Sequence, residues 1–350
     1  MDYYFLNINH TYYDSFDNHC PRKHKHIDAQ TRDVSAAEYW LEGQGKATIF
    51  FGMRTTAEIQ QKTEDEIRKE KLHEAFEFIK VGNLSSSMQT NTRIITIQNG
   101  KVWIYRPCGD VVDEDPIYLH GKDKKPCLAQ VNRPKAMPVT MTQGPFPISE
   151  VPYVLASMKS NQAFSRGTFK KIHPETYAGN VAAIPKVTGN WGTNFTVDPL
   201  QCLSSVELET LIAKLFEAKG CFVPAARGGT LEHVDLFATP VHETNLGSLR
   251  LKVAEGSIKR TYSLQIKLLA LRGKQNHLST TLQNWLKDEK HILITLDKED
   301  NRENRHFGRE WLREQIRENP KINEWLERSL DWLPAERRKR FDRQLNCRSS

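Results

Sequence analysis

An α/β protein in two domains is what this sequence predicts, and three observations carry the prediction. Its 350 residues exceed the usual span of one domain. Runs rich in β-branched and aromatic residues alternate with amphipathic helical stretches along the chain. Between Ala182 and Leu200, the segment AAIPKVTGNWGTNFTVDPL breaks both periodicities with Gly, Pro, Asn and Thr, the composition of a linker. A boundary is therefore expected near residue 190. The first domain, 1–190, would be α+β or β-rich, and the second, 191–350, a mixed sheet flanked by helices.

Composition bounds the function classes. Apolar residues make up 38% and charged residues 27%, the balance of a globular protein with real cores. No apolar run nears the roughly 20 residues of a membrane span. The opening MDYYFLNINHTYYDS lacks the basic start and apolar stretch of a signal peptide, so no membrane contact and a cytoplasmic location are expected. The six cysteines are scattered, with no Cys-x-x-Cys pair, and read as free thiols in a reducing compartment. His19, Cys20, His24 and His26 crowd four metal-capable donors into eight residues, but at no standard zinc-finger spacing. A basic surface loop is the expectation there.

A net charge of +7 and a pI near 9.0 fit a polyanionic partner. Residues 201–350 hold 26 Lys and Arg against 21 Asp and Glu, which places most of the excess in the second domain. The densest basic cluster is Arg337 to Arg340 with Arg343 and Arg348.

In the first domain, Tyr3 to Ile8 and Lys46 to Phe51 are strand candidates. Thr56 to Lys80 reads as one helix, with Ile67, Leu72, Phe76 and Ile79 on its apolar side. Asn99-Gly100, between Arg93-IITIQ and KVWIYRP, predicts a hairpin closed by a type I′ turn. Trp103 and Tyr105 fall two apart and share a face of that hairpin. Core packing is expected of them, and the alternative is a pocket for a base. Ile148 to Ile172 reads as one or two helices, with Ser149 as N-cap and Pro152 in the first turn. Short strands, the Asn-Gly hairpin and closing helices together resemble PUA-like modules of the YTH and EVE kind. That resemblance implies a targeting module that binds a modified base in an aromatic pocket.

The second domain carries the chemistry. Ser204 or Ser205 can cap a helix whose stripe is Leu208, Leu211, Ile212, Leu215 and Phe216, and Gly220 ends it. Glu209 lies on that helix. A turn around Gly228-Gly229 follows, then a strand bearing Asp235, and later the strand Arg260-TYSLQIKL with Gln265 and Lys267. Gln265 and Lys267 are two apart in a strand and so share a face. Phosphodiester cleavage needs a hard divalent cation, and Mg²⁺ prefers a few oxygen ligands while keeping several waters. Asp235, the amide oxygen of Gln265 and the Ile266 carbonyl are candidate ligands. Glu209 would bind a metal water or orient Lys267, and the Lys267 ammonium would stabilise developing charge. His233, beside Asp235, is expected to be structural.

A helical acid, a Gly-ending turn, a Gly-rich loop, an apolar-flanked Asp and a strand ending Gln-x-Lys resemble the catalytic core of the PD-(D/E)xK nuclease superfamily, in its Mrr-like restriction endonuclease branch. Glu209, Gly220, Gly228-Gly229, Asp235 and Gln265-Ile266-Lys267 carry the resemblance, over about 65 residues. Two departures stand out. Asp235 and Gln265 are 30 positions apart, with an apparent extra strand between them, and Val234 stands where a Gly often precedes the Asp.

The resemblance implies a restriction-endonuclease-like fold and a Mg²⁺- or Mn²⁺-dependent DNA endonuclease. It would act in restriction or defence against foreign, modified DNA, on double strands and as a homodimer. The alternatives are a non-catalytic nucleic-acid-binding protein on a nuclease-like scaffold, or a nuclease for RNA or branched DNA. Downstream, Trp311, Leu312, Ile316, Ile322, Trp325, Leu326 and Leu330 read as core at helical spacing. Arg309, Arg313 and Arg317 between them are candidates for phosphate contact.

Overall fold

The computed structural model describes residues 1–7, 13–15, 38–119, 130–160, 164, 167–189, 196–224, 226–231, 234–255, 258–267, 280–296 and 305–339. The chain divides into two compact units, Met1–Thr188 and Gly189–Ser350. Among the described residues, no helix is long and apolar enough to cross a membrane. Cys108, Cys202 and Cys221 are free thiols. The His19–His26 cluster, His233 and the basic end from Arg340 onward lie outside the described residues.

The first unit is built on a seven-stranded sheet. Its strands are β1 (Asp2–Leu6), β3 (Lys46–Phe50), β4 (Thr92–Gln98), β5 (Lys101–Pro107), β6 (Val112–Asp113), β9 (Pro134–Pro147) and β10 (Phe169–Lys171). The order is β10-β1-β4-β5-β9-β3, with β6 also on β9. A separate small sheet joins β2 (Tyr13–Ser15), β7 (Ile117–Leu119) and β8 (Gln130–Asn132). The long β9 pairs with β3 through its first residues and with β5 through its last.

The expected hairpin is β4–β5, and Asn99 (φ 47°) and Gly100 (φ 72°) both adopt the left-handed conformation of its turn. Trp103 and Tyr105 are fully buried. The Trp103 indole donates to Glu42 Oε1 at 2.8 Å, and the Tyr105 hydroxyl lies 2.8 Å from Thr96 Oγ1. The pair is core and lines no base pocket.

Three of the expected elements differ. Thr56 to Lys80 is divided among α1 (Thr56–Gln60), α2 (Glu64–Lys69) and α3 (His73–Gly82). Thr55 and Thr63 each make a reciprocal capping box, with Glu58 and Glu66, so new helices start there. Lys71 (φ 57°) turns the chain before α3. After a short α4 (Ser86–Thr90), the described residues from Ile148 to Ile172 include a 3-10 turn at Ile148–Glu150, the four-residue α5 (Tyr153–Ala156), a second 3-10 turn, a helical Phe164 and β10. Pro152 rather than Ser149 occupies the cap of α5. Ala182, expected in a linker, sits inside α6 (Ala178–Thr188), which contains Pro185 and buries Ala182, Ala183 and Ile184. Burial of that apolar run outweighs the proline's local cost.

The second unit is a six-stranded mixed sheet with helices around it. Helix α7 (Ser205–Ala218) starts at Ser204, whose side chain accepts from Glu207 N while Glu207 accepts from Ser204 N. Its stripe Leu208, Leu211, Ile212, Leu215 and Phe216 is fully buried. Gly220 (φ 85°) ends it, and a Cβ there would lie 2.3 Å from the His242 ring. The sheet runs β11 (Cys221–Phe222), β13 (Val234–Pro240), β18 (Tyr262–Lys267), β19 (His291–Thr295) and β20 (His306–Phe307), with β12 (Ala226–Leu231) also on β13. Gly228-Gly229 is thus extended strand rather than a turn.

β13 and β18 are antiparallel, while β18, β19 and β20 are mutually parallel. The extra segment between Asp235 and Gln265 forms two small hairpins: β14 (Thr244–Leu246) with β15 (Leu249–Leu251), and β16 (Ala254–Glu255) with β17 (Ile258–Lys259). They follow Pro240, at the opposite end of β13 from Asp235, so the long separation leaves the Asp235 end of the β13–β18 pair intact.

Helices α8 (Thr280–Trp285), α9 (Arg309–Arg317) and α10 (Pro320–Ser329) complete the unit. Trp311, Leu312, Ile316, Ile322, Leu326 and Leu330 are core, as expected, whereas Trp325 is only half-buried. Arg309 and Arg313 are committed to the buried carboxylate of Asp198, at 3.3 and 2.7 Å. They hold α9 to the segment ahead of α7 and are not placed for phosphate. Arg338, in the basic cluster, pairs with Glu327 and donates to the Leu330 and Leu333 carbonyls.

Candidate active site

Asp235 is the second residue of β13, and Gln265 and Lys267 close β18. Because the two strands are antiparallel, the start of one meets the end of the other. The last paired residues there are Leu236 and Leu264. Beyond them the ladder stops, and an Asp235 carboxylate oxygen accepts the N–H of Ile266 at 2.6 Å. A side chain thus takes the place of a backbone carbonyl, where two strands part. The N–H and C=O of one residue leave a strand on the same edge, so the Ile266 carbonyl also faces this gap.

The same Asp235 oxygen lies 3.9 Å from the Lys267 ammonium. Asp235 is 9% exposed and Gln265 3%, while Lys267 is partly open to solvent. Glu209 comes from α7, one position round the helix from the buried Leu208. Burial pushes its carboxyl up to about 7; Asp235 adds to the rise and Lys267 opposes it. Glu209 therefore feels both other charges, and all four residues singled out from the sequence converge at the parted end of β13 and β18.

The donor set can be weighed against a divalent ion. Among the described residues, no group of three or more His, Cys, Asp or Glu is arranged to hold a metal. The set is two carboxylates, one amide and one backbone carbonyl, which suits a hydrated hard cation that needs few protein ligands. One buried acid and one half-buried acid facing one ammonium leave surplus negative charge, and Asp235 adds to the rise that burial produces at Glu209. A cation bound between them would relieve it.

Sequence alone does not single out Thr295 or His306. Thr295 stands beside Lys267 in parallel register, and its hydroxyl is 2.9 Å from His306 Nε2. Both are buried. Only sheet pairing brings residues of three separate strands together, and no spacing signals it.

No protein-family model matches the chain, and no curated protein matches it. Among solved structures, the chain is similar to the MspJI restriction endonuclease in complex with a 27-mer oligonucleotide. The identity is 12%, and the match covers 85% of this chain and 76% of that one, with a TM-score of 0.20. At that score the likeness carries no argument. What is known of this site rests on its own geometry.

Proposed function

We propose that the second unit is a Mg²⁺- or Mn²⁺-dependent endodeoxyribonuclease core of the PD-(D/E)xK type, in the Mrr-like branch. The observation that carries this reading is the convergence of Glu209, Asp235, Gln265 and Lys267 where β13 and β18 part. Asp235, the Gln265 amide and the Ile266 carbonyl would hold the ion, with Glu209 binding one of its waters. When bound, the ion would polarise the scissile phosphate and acidify the attacking water.

The protein's own groups supply the rest. The Lys267 ammonium stabilises negative charge that develops on the phosphate. Asp235 fixes Lys267 by charge and the Ile266 backbone by its hydrogen bond, so one carboxylate orients both. The first unit, corresponding to the expected 1–190 domain, would choose the target, including modified DNA, in restriction or defence. Each site cuts one strand, so a homodimer would break a duplex.

The test is incubation with modified phage DNA and unmodified plasmid DNA, with Mg²⁺. Cutting that is lost in Lys267→Ala supports the reading. No cutting of either DNA, or cutting that survives Lys267→Ala, would overturn it. A second reading, a non-catalytic DNA-binding scaffold, is favoured by the presence of only two carboxylates in the set. It predicts metal-independent binding that Asp235→Ala leaves unchanged, and no cleavage.

A further inference from the structure

The first unit carries a row of hydrogen-bond donors that its own fold uses only in part. Four neighbouring strands contribute one residue each. Tyr3 on β1 is paired with Arg93 on β4. The β4–β5 ladder pairs Ile94 with Tyr105, so one step further Arg93 stands opposite Arg106. Arg106 in turn is paired with Thr140 on β9. Residues opposite each other in a sheet share a face. With strands about 4.8 Å apart, the row is about 14 Å long.

Its make-up is one-sided. The row holds two guanidiniums, a phenol and a hydroxyl, and no carboxylate. Like charges directly opposite on paired strands are destabilising, and no carboxylate acts on Arg93 to offset this pair. Arg93 is fixed by its Nη1 donating to the carbonyls of Thr90 and Thr92, at 2.7 and 2.8 Å. Among the described residues, the Arg106 side chain has no hydrogen bond and no ion pair. Burial lowers the Arg93 value, Tyr3 raises it, and Arg106 lowers it again; no carboxylate enters. The nearby acids are spent on the opposite face, where Asp2 pairs with Lys171 at 2.8 Å and Glu77 accepts from Tyr4. Both arginines are partly buried and Tyr3 is buried, with 9% of its surface exposed, whereas Thr140 is exposed.

We infer that the row Tyr3–Arg93–Arg106–Thr140 is a binding site for the phosphodiester backbone of nucleic acid. Arginine's planar fork matches phosphate oxygens two at a time, and an anion set between Arg93 and Arg106 removes their mutual repulsion. A row longer than one phosphate favours a polymer over a single small anion. Contacts of this type position a duplex without reading its sequence. The site would therefore give the first unit its grip on DNA and leave target choice to other groups. It rests on DNA being the partner, and not on cleavage.

The experiment is fluorescence anisotropy of a short duplex oligonucleotide with the full chain, in EDTA, across a salt series. The variants are Arg106→Gln and Arg106→Lys, with Arg328→Gln as control, since Arg328 is exposed and pairs only with Glu324 among the described residues. Folding of each is checked by circular dichroism. Arg106→Gln should weaken binding roughly three- to tenfold and lower the salt slope by about one. Arg106→Lys should keep most of the slope, and Arg328→Gln all of it. No DNA binding by the unaltered chain, or an Arg106→Gln slope equal to the parent's, overturns the inference.

A parallel titration with inorganic phosphate separates the sources of the ligand. Phosphate bound as tightly as the duplex, with the same loss in Arg106→Gln, would make this a small-anion site and overturn the backbone assignment. Cleavage with Mg²⁺ is scored separately. An Arg106 effect without cleavage upholds this site and sinks the nuclease reading, whereas cleavage without an Arg106 effect does the reverse.

Discussion

Glu209 shows how burial and a neighbour's charge shape one residue. Its carboxyl is raised from 4.5 to about 7, first by burial and then by Asp235. The folded state therefore binds this proton more tightly than the unfolded state does. The resulting penalty is absent below about pH 4.5, grows as pH rises toward 7, and is complete above it. In chelator, Glu209→Gln should melt higher than the parent above pH 7, with the advantage vanishing below pH 4.5. An advantage that ignored pH would contradict burial of an ionising acid. Lys267 offers a kinetic counterpart: if it stabilises charge only in the transition state, Lys267→Ala should lower kcat by about 10²- to 10³-fold, measured on plasmid nicking. Lys267→Arg tests geometry as well as charge, because a planar fork cannot occupy the same point.

At the scale of elements, two anchors hold helices of the second unit. The Ser204–Glu207 capping box sets where α7 begins, and so where Glu209 stands. Ser204→Ala should cost about 1 kcal/mol, read from urea unfolding, and should reduce cleavage by misplacing Glu209. The second anchor is Asp198, 2% exposed, between Arg309 and Arg313. Removing one partner of a buried ion pair costs on the order of 3 kcal/mol, so Asp198→Asn should lower stability strongly. Arg313→Ala should likewise lower the melting temperature while leaving DNA affinity unchanged. A drop in affinity without a drop in stability would restore Arg313 to the DNA-contacting set.

For the whole molecule, the expectation is that grip and cutting separate. The donor row belongs to Met1–Thr188 and the acidic site to Gly189–Ser350. Lys267→Ala should bind duplex DNA as the parent does, and chelation should abolish cleavage without abolishing binding. Arg106→Gln should raise the DNA concentration needed for cleavage and leave kcat near the parent value. Gel shift and nicking assays on the same preparations check all three.

Much of this was legible in the sequence wherever the signal is local. Asn99-Gly100 specifies its turn by backbone sterics, and Ser204 with Gly220 bounds α7 by capping. That Glu209 lies on a helix and Asp235, Gln265 and Lys267 on strands follows from periodicity. Local rules also mislead where two of them compete. The helical spacing of Thr56 to Lys80 conceals two capping boxes that restart the helix, and Pro185 suggests a linker where burial of Ala182, Ala183 and Ile184 keeps α6 helical. Pairing lies outside what spacing encodes. Only the tertiary structure decided that Asp235 holds both Lys267 and the Ile266 N–H, that two hairpins absorb the long excursion at the far end of β13, and that Asp198 claims Arg309 and Arg313. The same holds for Arg93 and Arg106, 13 positions apart in sequence and opposite each other in the sheet. Propensity acts through neighbours along the chain. Charge, register and burial act through neighbours in space, and those exist only once the strands have found their partners.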